Sequence, residues 1–455
     1  MSGSSRARVR RLTLGVLVAV SALVVSACGG APQSAGGLPT LNVLMVNNPQ
    51  MLDLQRLTAD NFTRQTGIKV NYTVLPENEL RTRTSAEFAN PAGQFDVATL
   101  SNYEVPFFAK NGWLAPLDAS VKADTGFDQS DILKPWTTSL TGPDGKLYGE
   151  PFYGESSFLM FRKDVLSAKG ITMPDRPTWQ QVAQIAAQVD GAAPGMKGIC
   201  LRGQPGWGEV ISPLTTVWNT FGGGWFDRSW TPLLTSPETV QATQFYIDLV
   251  RQHGEPDAAK AGYTECLNSM LQSKVALWYD ATSAAGYLEG KDSPVAGKIG
   301  YVPAPVVRTQ SSGWLYTWAW AIPKSSKNAD AAWKFISWAS GKDYEKLVGG
   351  ELGWSKAPAG KRMSTYFNAN YLYAAHAFAE PTQEAIQSAD PQNPGVQPRP
   401  ALGVQFVSIP EFAALGDQVS QGISAAIGGQ GDAASVLNQG QQLAAQVASK
   451  YRGQG

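Results

Sequence analysis

Residues 313–323 read GWLYTWAWAIP, four aromatic rings in seven positions and then a proline. As an extended strand this segment puts Trp314, Tyr316, Trp318 and Trp320 on one face and Leu315, Thr317, Ala319 and Ala321 on the other. Pro323 ends it. At about 3.3 Å per residue the aromatic face is roughly 20 Å long, about twice the length of a small metabolite, so one ligand does not touch every ring and some belong to a core. Strands and helices alternate elsewhere. Residues 41–46 (LNVLMV) form a short apolar strand, 53–66 carry helical spacing through Leu54, Leu57 and Phe62 up to Gly67, and 68–75 form a second strand. A helical stretch, a strand over 95–100 (FDVATL) and a helix over 103–111 follow. The alternation predicts an α/β chain with a mostly parallel sheet covered on both faces. Such sheets bind ligands beyond the carboxyl ends of their strands, which makes Asn102 and Tyr103, directly after one strand, candidate binding residues.

With 455 residues the chain is long enough for two or three domains, and 43% hydrophobic content is ordinary for a globular protein. Lys plus Arg number 37, as do Asp plus Glu, so no net field draws nucleic acid or an anionic surface. Fourteen Trp, two His (His253 and His376) and 16% charged residues suit a neutral, hydroxyl-rich partner better than an ionic one. Two unclustered His make hydrolytic triads and zinc sites hard to build, and the sequence lacks HExxH, GxSxG and Walker signatures. The expectation is a monomeric non-enzyme with no metal and no cofactor.

Arg6, Arg8, Arg10 and Arg11 precede an apolar run over 12–25 and then Ala27 and Cys28. A basic region, an apolar run short of the roughly 20 residues of a spanning helix, and small residues before the break predict an export signal over 1–27. Cys directly after the small-residue site resembles the lipobox of bacterial lipoproteins. That resemblance makes Cys28 the acylated first residue of the mature chain, anchored at the outer face of the cytoplasmic membrane. Residues 28–40, rich in Gly, Ala and Pro, are then a flexible tether. Export leaves Cys200 and Cys266 as an even pair where disulfides persist, expected to be bonded rather than two separate buried thiols. The chain-entropy model gives such a link roughly 4 kcal/mol.

Helix ends are legible too: Thr178 with Gln181 forms a capping box, Ser236-Pro237 opens a helix, and Gly254 and Gly341 stand at C-termini. The Pro-rich stretch 391–400 reads as an ordered loop, followed by closing helices over 410–427 and 432–451.

Several stretches together resemble a known family. SNYEVPFFAKNGWLAPLD (101–118), GEPFYGESSFLMFRKDVL (149–166), GKIGYVPAP (297–305) and AIPKSSKNADAAWKFISWAS (321–340) are similar to the extracellular solute-binding proteins of bacterial carbohydrate ABC importers. The resemblance spans nearly the whole mature chain. CLRGQPGWGE (200–209), WYDATSAAG (278–286), residues 313–323 and GVQFVSIPEFAALG (403–416) are most similar to the subgroup serving linear polyols such as sorbitol and mannitol. What this implies is a two-lobed, periplasmic-binding-protein-like α/β fold (type II) with three hinge-crossing segments, near 152–155, 311–314 and 351–355. Lobe 1 would be 40–153 plus 313–352, and lobe 2 would be 154–312 plus 353–455. The implied function is capture of a polyol or small sugar between the lobes, then delivery to a membrane permease driven by an ATPase. Trp314 and Trp318 would face the cleft, and Trp320 would be core, packed against Trp333 and Trp338.

A polyol offers hydroxyls that both donate and accept, plus a mildly apolar carbon chain. Holding one takes Asp, Glu, Asn and Arg for the hydroxyls and aromatic faces for the carbons. Candidates that pair the two are Tyr153 with Glu155, Arg202 with Trp207, Trp225 after the glycines at 222–224, and Trp278 with Asp280. Each also has a plainer reading: Glu155 and Asp280 as caps, Arg202 as a brace of the Cys200 loop, 222–224 as a tight turn. About 1 kcal/mol net per hydrogen bond over several hydroxyls, with stacking, reaches micromolar binding, about −8 kcal/mol. The rival readings are an exported glycosidase using Glu155 and Asp280 as its carboxylate pair, a binding protein for a disaccharide, and a structural envelope lipoprotein.

Overall fold

The structure, a computed structural model, describes residues 39–90 and 92–452. The expected export signal over 1–27, the lipidation site Cys28 and the tether up to residue 38 lie outside the described residues. Among the described residues two sheets carry the fold. β1 Thr40–Val46, β2 Lys69–Leu75, β3 Val97–Ser101, β4 Glu150–Glu155, β5 Ser157–Arg162, β6 Lys197–Cys200, β7 Val275–Ala281, β8 Ile299–Pro303 and β9 Tyr316–Ala321 assemble as β2-β1-β3-β9-β4 and β6-β7-β5-β8. Each sheet, with the helices that cover it, is a lobe. Central β3 (VATLS) is buried at every position, and its Thr99 and Ser101 hydroxyls are hydrogen-bonded inside the protein, whereas edge strand β2 alternates between more and less exposed residues.

The sheets are mixed, and the reason lies in the crossings. β9 runs antiparallel to β3 and β4, and β5 runs antiparallel to β7 and β8, while the other strands of each sheet share one direction. β5 and β9 are the strands that the chain reaches by passing between lobes. A strand entering from the hinge starts where its parallel neighbours end, so it must run against them. The β4–β5 passage is almost seamless. Only Ser156 separates Glu155, paired with Tyr316 in one sheet, from Ser157, paired with Ala281 in the other.

Local signals behave as their chemistry dictates. Asn48 caps the helix Pro49–Thr58 by accepting from the Met51 N–H, so the helix begins earlier than its apolar spacing suggests; it widens over Ala59–Thr63 and ends at Gly67 with φ 74°. Thr178 and Gln181 form the capping box, and Ser236 caps Pro237–His253. The closing helices are Phe412–Ile427 and Ala433–Ala448. No helix among the described residues is long and apolar enough to cross a membrane.

One expectation needs correction. Trp320 is fully buried, but its ring meets Phe152 at 5.3 Å and Phe335 at 5.5 Å. Trp333 and Trp338 pack instead on Phe127 and Tyr344, because the helix Ala329–Ser340 turns Phe335 and Ile336 toward the sheet and leaves both indoles on its flanks. The residues that follow the expected crossing at 351–355 touch both lobes. The turn Trp354–Lys356 packs on Ala285–Leu288 of the second lobe, yet 359–365 return along the first, where Lys361 meets Glu345 and Arg362 meets Asp131, both cations fully buried. The return is possible because two glycines touch: a Cβ on Gly154 would stand 2.4 Å from the Gly360 carbonyl oxygen, and one on Gly360 (φ +80°) 1.9 Å from that of Gly154.

Cys200 and Cys266 are bonded, with Cα atoms 5.6 Å apart, tying the end of β6 to the helix Tyr263–Leu271. Replacing both by Ala should lower the unfolding free energy by about 2–4 kcal/mol. Urea titration of wild type and variant checks this, and equal midpoints would show that the link adds no stability.

Candidate ligand-binding site

A cavity of about 210 Å³ lies between the lobes, beyond the carboxyl ends of their parallel strands. The first lobe contributes Asn47 and Asn48 after β1, Glu77 after β2, and Tyr153 and Glu155 on β4. Tyr316 and Trp318 come from the start of β9, with Trp314 just before it. The second lobe contributes Arg202 and Gln204 after β6, Ser283 after β7, Glu209 and Tyr263, and a loop adds Gln405 and Phe406.

Arg202 organises the second-lobe wall. Its Nε and Nη2 donate to the two carboxylate oxygens of Asp280 at 2.9 and 2.6 Å, and Nη1 donates to the Gly208 carbonyl at 3.0 Å and to Glu209 at 3.4 Å. Asp280 is fully buried and also accepts from Trp278 Nε1 at 3.2 Å and the Ala281 N–H at 2.7 Å. Its lone pairs are spent inside the protein. Burial works against the Arg202 charge, but Asp280, and more weakly Glu209, hold it protonated.

The first-lobe wall is held in the same way. Asn48 donates Nδ2 to the Tyr153 hydroxyl at 3.0 Å. Arg81, on the helix Glu77–Phe88, donates to Glu77 at 2.6 Å, Glu104 at 3.0 Å and the Tyr316 hydroxyl at 2.8 Å. Glu155 is buried and accepts from Ser283 Oγ. Burial pushes its pKa up to about 8, so at neutral pH it is mostly a carboxylic acid that both donates and accepts. Burial and then Glu77 push Glu209 upward, with Arg202 pulling the other way. Two more groups are conspicuous. Trp314 Nε1 and Gln405 Nε2, on two residues that border the cavity, are buried donors with no acceptor among the described residues, although such groups are almost always paired in native proteins.

Five of the residues expected from the sequence, Tyr153, Glu155, Arg202, Trp314 and Trp318, border the cavity. Six do not. Asn102 accepts the Thr317 N–H at 3.2 Å and so fastens β9. Tyr103 donates to the Ile409 carbonyl at 2.7 Å and, with Trp207, borders a different, outer cavity. Trp225 is core, against Trp218 and Phe412. Trp278 and Asp280 share one face of β7, but that strand is interior to its sheet and Arg202 lies over Asp280, so the pair stands behind the wall. Sequence reasoning missed Asn47, Asn48 and Glu77, although they follow β1 and β2 just as Asn102 follows β3. Glu209, Gln405 and Phe406 sit in irregular segments, where periodicity carries no signal.

A family model described as bacterial extracellular solute-binding protein matches residues 48–346. The chain belongs to this family. The mannitol-binding protein of Pseudomonas aeruginosa is 39% identical to this solute-binding protein over 428 residues, 94% of this chain and 97% of that one. The erythritol/L-threitol-binding protein of Mycolicibacterium smegmatis is 27% identical over 75% of this chain and 78% of its own length. A solved ABC transporter solute-binding protein from Agrobacterium vitis S4, with bound D-mannitol, matches with a TM-score of 0.88 at 43% identity, over 91% of this chain and 99% of that one. The maltose-bound MalE3 of T. maritima, at 20% identity and a TM-score of 0.75, shares the fold. The architecture is the two-lobed, type II arrangement that the sequence resemblance implied.

The raised pKa of Glu155 has a measurable sign. Between its ordinary value of 4.5 and about 8, the folded protein holds a proton that the unfolded chain releases, so stability present at pH 4.5 is lost as pH rises through about 8. Urea titrations at pH 5, 6.5 and 8 should show stability falling with pH in the wild type and falling less steeply in Glu155→Gln. Parallel profiles would assign that proton to another group.

Proposed function

We propose that this solute-binding protein captures a linear hexitol such as mannitol between its lobes and presents it to the permease of an ABC importer. The observation that carries the reading is the make-up of the cavity. It joins a protonated carboxyl at Glu155, a fixed guanidinium at Arg202, unpaired donors on Trp314 and Gln405, and the rings of Trp314, Trp318 and Phe406. Vicinal hydroxyls need both donors and acceptors, and the carbon chain needs aromatic faces. Mannitol in the names of the Pseudomonas aeruginosa and Agrobacterium vitis relatives supports the same ligand class.

Size narrows the choice. At roughly 10–15 Å³ per water-sized group, about 210 Å³ holds about 14 to 21, more than the roughly twelve non-hydrogen atoms of a hexitol and fewer than the roughly twenty-three of a disaccharide. The glycosidase reading loses its pair, since Asp280 is consumed by Arg202 and of the two carboxyls only Glu155 borders the cavity.

Lobe 1 comprises 40–153 and 313–352 with the return at 359–365, and lobe 2 comprises 154–312, 353–358 and 366–455, with 28–39 as the tether. Both lobes supply ligand contacts, so binding favours the closed arrangement, which the permease and its ATPase then read. Acylation of Cys28 holds this monomer at the outer face of the cytoplasmic membrane, where it binds its solute without altering it.

Calorimetric titration with mannitol, sorbitol, ribitol, glucose and maltose should give micromolar binding, about −8 kcal/mol, for the hexitols. Gln405→Leu removes one unpaired donor and should weaken hexitol binding about tenfold. No heat with any polyol at millimolar concentration would overturn the reading.

A further inference from the structure

Two residues that border the cavity, Gln405 and Phe406, sit on a segment, 403–409, that belongs to no helix or strand. Bonds to both lobes hold it instead. On the second lobe, Asn219 Nδ2 donates to the Val404 carbonyl at 2.9 Å and Arg399 Nη1 to the Gly403 carbonyl at 2.8 Å, and the segment leads into the helix Phe412–Ile427. On the first lobe, the Tyr103 hydroxyl donates to the Ile409 carbonyl at 2.7 Å, and Gln405 Oε1 accepts the Leu315 N–H at 3.4 Å. Gly403, with φ +130°, sets the bend. A Cβ there would stand 2.0 Å from the Phe406 carbonyl oxygen.

The Phe406 ring meets Trp207 of the second lobe at 4.9 Å, and Tyr103 and Tyr316 of the first at 5.6 and 6.3 Å. Tyr103 therefore touches this strap twice, through its ring at Phe406 and through its hydroxyl at Ile409. It borders a separate outer groove and not the 210 Å³ cavity, and it is 7% exposed. Separating the lobes breaks the strap's contacts to the first lobe and spares those to the second. In the open arrangement water takes both ends of the Tyr103–Ile409 bond, whereas in the closed one the pair is buried, the carbonyl also accepting the Phe412 N–H at 3.1 Å. Deleting the hydroxyl thus costs the closed arrangement and leaves the open one nearly unchanged.

We propose, on the hexitol reading of the inner cavity, that Tyr103 is a positioning residue for solute binding. It latches the 403–409 strap to the first lobe and so slows release of the solute held against Gln405 and Phe406. Tyr103 itself touches no solute; it acts through the strap and through the balance between open and closed lobes.

Wild type, Tyr103→Phe and Tyr103→Leu are compared by calorimetric titration with mannitol, by stopped-flow tryptophan fluorescence for its release, and by melting without solute. Tyr103→Phe, which keeps the ring, should bind mannitol about fivefold more weakly through faster release, with the melting temperature of the unliganded protein unchanged. Tyr103→Leu, which also withdraws the ring from Phe406, should bind more weakly still. Tyr103→Phe binding and releasing mannitol as wild type does would overturn the latch. So would weaker binding that comes with an equal loss of unliganded stability, the mark of a purely structural role, or that comes from slower association alone. Wild type binding no mannitol would instead sink the hexitol reading, and this inference with it.

Discussion

The buried ion pair of Arg202 with Asp280 is the constraint on which the second-lobe wall depends. A buried pair of this kind is weak evidence for net stability, because desolvating both charges offsets most of their attraction. What it supplies is geometry. Asp280 is fixed by the N–H of Ala281 and the indole of Trp278, and it holds the guanidinium bidentately, leaving Nη1 to fasten Gly208 and Glu209. The Cys200–Cys266 link, two residues before Arg202, fixes the same loop covalently. Breaking either anchor would loosen the wall that faces the ligand.

Charge around the cavity is balanced rather than absent. Arg81 is matched by Glu77 and Glu104, and Arg202 by Asp280, while burial favours the neutral acid at Glu155. In a low-dielectric site an ionic solute would have to lose its hydration, whereas a neutral polyhydroxyl compound exchanges water hydrogen bonds for equivalent ones. The near-neutral composition of the whole chain is thus reproduced locally where it matters for binding.

The crossings explain why the site is where it is. Because β5 and β9 enter their sheets from the hinge, the open ends of both sheets face the same gap, and residues following β1, β2, β6 and β7 converge there. The start of β9 carries Tyr316 and Trp318 to the cavity, while Trp320, further along the strand, drops into the core against Phe152 and Phe335.

Much of this was legible in the sequence because it is local. The strands near 41–46, 68–75, 95–100 and 313–323, the Thr178 capping box and the Ser236-Pro237 start follow from backbone periodicity and end chemistry within a few residues, while the division of the 313–323 face between cleft and core came from the family resemblance. The two-lobed class came from the resemblance of stretches spread along the chain, and the cysteine pairing from an even count in an exported protein. Which polar residues border the cavity was not local. Trp278 and Asp280 read as a ring beside a carboxylate, yet Arg202, 78 residues away, covers Asp280. Trp207 reads as a ligand platform, yet it closes against Arg81 from the opposite lobe. Side-chain chemistry is written in the sequence, but whether that chemistry meets solvent, ligand or another side chain depends on contacts between segments far apart in the chain, and only the tertiary structure decides those.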